Sequence, residues 1–90
     1  MLFVALLKVK SGTEKERASR RLQWDTPEGA TIKAEYWLHA CNPQCIVILE
    51  SNGFAEMMLF TSAWDDVFDI DIHPAITAEE GMKEIKQMME

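Results

Sequence analysis

Apolar and polar positions alternate along this chain in two ways, and the difference separates central strands from edge strands. Over Leu2–Val9 both alternating sets are apolar, Phe3, Ala5, Leu7 and Val9 on one side and Leu2, Val4 and Leu6 on the other. Only a strand covered on both faces reads this way. Residues 45–50 repeat the pattern, with Ile46 and Ile48 opposite Cys45, Val47 and Leu49. Two further predicted strands are apolar on one face alone. In residues 30–41, Ile32, Ala34, Tyr36 and Leu38 alternate with Thr31, Lys33, Glu35, Trp37 and His39. In residues 67–73, Phe68, Ile70 and Ile72 alternate with Asp69, Asp71 and His73, and Pro74 is expected to stop the strand. A polar face on each of these two suits a sheet edge.

Helical spacing fills the intervals. Thr13 and Glu16 have capping-box spacing and open a first helix from residue 14 to residue 22 or 24, with Ala18, Leu22 and the stem of Arg21 on its inner side. Ser51, Asn52 and Gly53 end the third strand and cap a second helix, Phe54–Trp64, which is too apolar to have only one covered side. Thr77 and Glu80 repeat the capping spacing before a third helix, whose Ala78, Met82, Ile85 and Met89 share one face. That stripe is expected to pack on its own domain or across a dimer.

The order is β-α-β-β-α-β followed by an additional C-terminal helix. Right-handed crossovers within one sheet predict an α+β, ferredoxin-like layout over residues 1–90 as a single domain, with the first and third strands central. The two doubly apolar strands are the ones this topology places inside.

Composition narrows the partners. The chain has 90 residues, 48% hydrophobic and 27% charged, an ordinary globular balance. A net charge of −6 disfavours nucleic acid and anionic membranes. The basic run from Lys15 to Arg21 is short and reads as a solvated helix face. No apolar stretch reaches the roughly 18 residues of a membrane span. The opening apolar run lacks the positive segment of a signal peptide, so a cytoplasmic location is expected. Cys41 and Cys45 bracket a turn at Asn42 and Pro43 without redox-motif spacing. With His39 they make three of the four ligands zinc usually takes, so plain thiols and no metal or cofactor are expected.

Several segments resemble a known family. The runs MLFVALLKVKSGT at the start, RRLQW (Arg20 to Trp24), AEYWL (Ala34 to Leu38) and PAITAEEG (Pro74 to Gly81) are similar to a family of small uncharacterised bacterial and archaeal domains. That family resembles a branch of the dimeric α/β barrels, a group that includes muconolactone isomerases, small monooxygenases of antibiotic biosynthesis and stress-responsive barrel proteins. The resemblance implies a homodimer whose two sheets close into a barrel. It implies no particular reaction.

Candidate chemistry gathers on the polar strand faces. Glu35, Trp37 and His39 share the polar side of the second strand, and Asp69, Asp71 and His73 share that of the fourth. An aromatic among polar groups suits a small-molecule cavity or an interface. Histidines are acid–base candidates near neutral pH, and paired carboxylates can act as acid and base. The plain alternatives are a solvated edge and a charged interface rim. If the fourth strand of one copy lies beside the second strand of the other, these six residues meet inside the barrel. Two functions are expected from this pattern. One is a dimeric barrel binding a small hydrophobic or aromatic molecule, with cofactor-free oxidation or isomerisation as its chemistry. The other is a non-catalytic structural, sensing or interaction module.

Overall fold

In the computed structural model, which describes residues 1–90, the elements run β1 (Leu2–Val9), α1 (Glu14–Gln23), β2 (Ala30–Trp37), β3 (Cys45–Ser51), α2 (Phe54–Trp64), β4 (Phe68–Ala75) and α3 (Ala78–Met89). The four strands form one antiparallel sheet in the order β2-β3-β1-β4. This α+β arrangement has the strand order of a ferredoxin-like sheet. The doubly apolar strands, β1 and β3, are the central pair.

One face of the sheet lies under α1 and α2. Phe3, Ala5 and Leu7 of β1 and Cys45, Val47 and Leu49 of β3 are buried there against Met57, Phe60 and Trp64 of α2. The other face is open. Leu2, Val4 and Leu6, with Ile46 and Ile48, are half-buried on it. At its β4 side Lys8 pairs with Asp71 at 3.2 Å and Lys10 with Asp69 at 3.8 Å.

The alternation read for the second strand breaks at a β-bulge. Ile32 pairs with Leu49, but the next paired residue is Ala34, opposite Ile48, so Lys33 is an extra residue on β2. Because side chains alternate with a period of two, one inserted residue exchanges the faces of everything beyond it. Glu35 and Trp37, opposite Val47 and Cys45, therefore lie on the helix side with Ile32, whereas Ala34 and Tyr36 lie on the open side. The expectation that Ala34, Tyr36 and Leu38 continue the face of Ile32 is overturned. The strand also ends at Trp37, so His39 and Cys41 lie in the following loop.

Three further local expectations change. Pro74 is within β4, opposite Phe3, which an edge strand tolerates because it leaves one side of its backbone unpaired. Thr13 does not close a capping box: its hydroxyl donates to the Lys10 carbonyl and accepts from Arg17, and α2, with Gly53 at its N-cap, starts without a side-chain cap bond. Leu22 is 88% exposed, because the inward stripe of α1 passes through Arg17, Ala18 and Arg21 to Trp24.

At the third helix the predicted cap is present, with Thr77 Oγ1 accepting from the Glu80 amide at 3.1 Å. Its packing is not as expected within the subunit. No residue of α3 is buried; Met82, Ile85 and Met89 are all exposed, and the molecule extends over 53 Å. The helix projects from the domain as an arm with an uncovered apolar stripe. No helix is long and apolar enough to cross a membrane.

Candidate functional site

Between α1 and the sheet lies a cavity of about 270 Å³. Its existence follows from the α1 sequence. The helix turns arginine and alanine toward the sheet where a core helix would turn leucine, and guanidinium stems do not fill the space to core density. Trp24 closes one end by packing edge-on to Phe60 and Trp64, with ring centroids 5.8 and 5.6 Å away. All three tryptophans of the chain, Trp24, Trp37 and Trp64, line the cavity.

One polar network crosses it. Arg21 of α1 forks onto Glu35 of β2, with Nε donating to Oε2 at 3.0 Å and Nη2 to Oε1 at 2.7 Å. Trp37 Nε1 donates to the same carboxylate at 2.6 Å. The Glu35 side chain is 17% exposed. The Arg21 hydrogen bonds hold its carboxyl below the usual carboxylate range, against the upward push of burial and with added help from Trp37. Arg21 also lies over Trp24, 5.9 Å from the ring. One turn earlier Arg17 stands over Phe68 at 5.6 Å, and Arg20 packs over Trp64 and reaches outward to Asp66 and Glu16.

Cys45 is buried in the cavity floor. Burial pushes its thiol up, and Glu35 adds to the effect while Arg17 and Arg21 oppose it. A thiol kept protonated is a small hydrophobe rather than a nucleophile. Cys41 is exposed in the loop. Cys41→Ser should leave the melting temperature unchanged. Cys45→Ser should lower stability by about 1–3 kcal/mol, the range for a buried hydroxyl without a good partner. Thermal denaturation of the two single variants checks both, and equal midpoints would show that Cys45 is not packed as described.

The six candidates therefore occupy three places. Glu35 and Trp37 are joined at the cavity. His39 is exposed in the loop after β2, outside the cavity lining. Asp69, Asp71 and His73 are exposed on the open face of β4, at the opposite edge of the sheet from β2. A barrel interior made from the open faces would hold Asp69, Asp71 and His73 without Glu35 and Trp37, because the Lys33 bulge has turned those two to the other side. With this register the six side chains do not share one sheet face. No group of three or more His, Cys, Asp or Glu side chains is arranged to hold a metal ion.

Sequence reading missed Arg17, Arg21 and Phe60 as site residues. A signal was present: arginines four apart on the inward stripe of α1, with a carboxylate in the neighbouring strand. No curated protein and no solved structure matches the chain. Residues 1–89 match a family model over almost the whole length, and the chain belongs to the family described as Domain of unknown function (DUF3303).

Proposed function

We propose that this protein binds a small hydrophobic or aromatic molecule in the cavity between α1 and the sheet. The supporting observation is the cavity itself: about 270 Å³, walled largely by aromatic and aliphatic side chains around the single Arg21–Glu35–Trp37 network. An apolar cavity of about 150 Å³ is enough for a benzene ring, so this one suits a one- or two-ring molecule. Binding is favoured over acid–base chemistry. No histidine lines the cavity, and Glu35 is a weak base while Arg21 and Trp37 hold its charge. The cofactor-free oxidation or isomerisation suggested by the barrel resemblance would need a proton acceptor supplied elsewhere.

Naphthamide, a neutral two-ring probe, tests this reading. It should quench tryptophan fluorescence saturably at one site per chain. Ala18→Phe, which puts a ring at the α1 side of the cavity mouth, should weaken the quenching with little change in melting temperature. Quenching that is linear in probe concentration, or unchanged in Ala18→Phe, would refute it.

Two copies of the chain are proposed to associate through their open sheet faces, in the cytoplasm. Four strands about 4.8 Å apart and seven or eight residues long cover a projected area of roughly 440–510 Å², short of the ~800 Å² per partner of a standard stable interface. The uncovered stripe of α3 supplies further apolar area, and its projection from the domain lets it reach a second copy. Sedimentation at micromolar concentration should give twice the 10.3 kDa chain mass. Deleting residues 78–90 should weaken association at least tenfold while leaving the helix and sheet content of residues 1–77 intact. A full-length monomer would refute the dimer, and unchanged association of the truncated chain would remove α3 from the interface.

A further inference from the structure

The charges around the cavity balance in number but are not all paired. Four charged side chains line it: Glu14, Arg17, Arg21 and Glu35. Arg21 and Glu35 neutralise each other through a two-pronged bond. Glu14 is exposed at the rim, in the first turn of α1, where solvent screens it. Arg17 is half-buried and has no carboxylate within ion-pair distance, unlike both of its arginine neighbours on the helix. Its guanidinium makes one protein hydrogen bond, from Nη1 to Thr13 Oγ1. A guanidinium has five N–H donors, so most remain unused. Its Cζ lies 5.6 Å from the centroid of the Phe68 ring, which places the guanidinium at the cavity wall.

We infer that the cavity selects a planar aromatic monoanion, an aryl carboxylate, with the ring among the tryptophans and the carboxylate on Arg17. This rests on the binding reading above and adds the charge of the ligand. A carboxylate matches the flat donor fork of arginine, where it accepts two parallel hydrogen bonds. A phosphate dianion fits less well, because Arg17 offers it a single unpaired positive charge and the chain carries a net charge of −6. Arg21, one turn further along α1, has its charge matched by Glu35 and so offers an anion less net attraction than Arg17. Arg17 and Arg21 are about 6 Å apart along the helix axis.

Fluorescence titration with naphthoate and naphthamide, which differ in charge but hardly in shape, tests the inference. The wild-type protein should bind naphthoate about tenfold more tightly than naphthamide, a difference that shrinks as salt is added. Arg17→Gln should erase the preference, bringing naphthoate affinity down to that of naphthamide. Arg17→Lys should retain part of it, which separates loss of charge from loss of fold. Equal affinities in the wild type, or a preference that survives in Arg17→Gln, would overturn the anion assignment and leave the binding reading standing. Failure of both probes to bind would end both.

Discussion

Phe60→Ala should destabilise the protein by about 3–5 kcal/mol, the range for removing a large aromatic from a packed core. Phe60 is 2% exposed and is the largest fully buried side chain. It stands between the sheet and α1, edge-on to Trp24, and Trp24 in turn packs on Trp64. Trp64 continues the row to Phe68 at 5.9 Å. Removing one ring leaves its neighbours without contacts on one side, beside a cavity that already exists, so the site has little capacity to close up. For 90 residues the total stability expected at ~0.05–0.15 kcal/mol per residue is roughly 5–13 kcal/mol. The substitution thus removes a large fraction of the whole. Urea denaturation followed by tryptophan fluorescence should show the midpoint falling steeply or the variant unfolded without denaturant. A midpoint within the wild-type error would mean that α2 does not bury Phe60.

Arg21→Met should cost about 1.5–3 kcal/mol at neutral pH, the range for a hydrogen-bonded charge left without its partner. Methionine keeps much of the apolar stem over Trp24, so the loss reports chiefly on Glu35. The effect is pH-dependent with a definite sign. In the wild type the folded-state pKa of Glu35 lies below its ordinary value of 4.5. Its contribution is therefore present above 4.5 and is lost as the pH falls through the lower folded value. Without Arg21, burial outweighs the Trp37 hydrogen bond and raises the folded pKa, so the variant gains stability as Glu35 takes up a proton. The two proteins should differ most at neutral pH and converge in acid below 4.5. Adding Glu35→Gln to Arg21→Met should recover part of the neutral-pH loss. Denaturation midpoints across the pH range provide the check, and a gap that stays constant from neutral to acid pH would show that the ion pair is not its cause.

Much of the fold follows from local pattern. Strands covered on both faces must be apolar on both, so β1 and β3 could be placed at the centre of the sheet from residue types alone. The cap at Thr77 was equally legible, because a hydroxyl three residues before Glu80 needs only local geometry to accept its amide hydrogen bond. The side to which β2 turns its residues was not legible. Lys33 looks like one more polar residue in an alternating run, and nothing local marks it as the extra residue of a bulge. Its consequence is large, since it moves Glu35 and Trp37 from the open face to the cavity.

The same division holds for the site. Residue type and spacing were enough to mark Glu35 and Trp37 as unusual polar and aromatic neighbours, and to predict α3 as an amphipathic helix. Only the tertiary structure decided what Glu35 meets, because Arg21 reaches it across the gap between helix and sheet, a distance set by packing. Tertiary structure also separated Asp69, Asp71 and His73 from Glu35 and Trp37. Their strands are opposite edges of the sheet, and the bulge gives the two groups opposite faces. Arg17 became conspicuous only when its neighbours Arg20 and Arg21 were seen to have carboxylate partners and it was not. Sequence determines which side chains carry charge; the folded arrangement decides which charges are left unpaired, because pairing depends on distances between elements far apart along the chain.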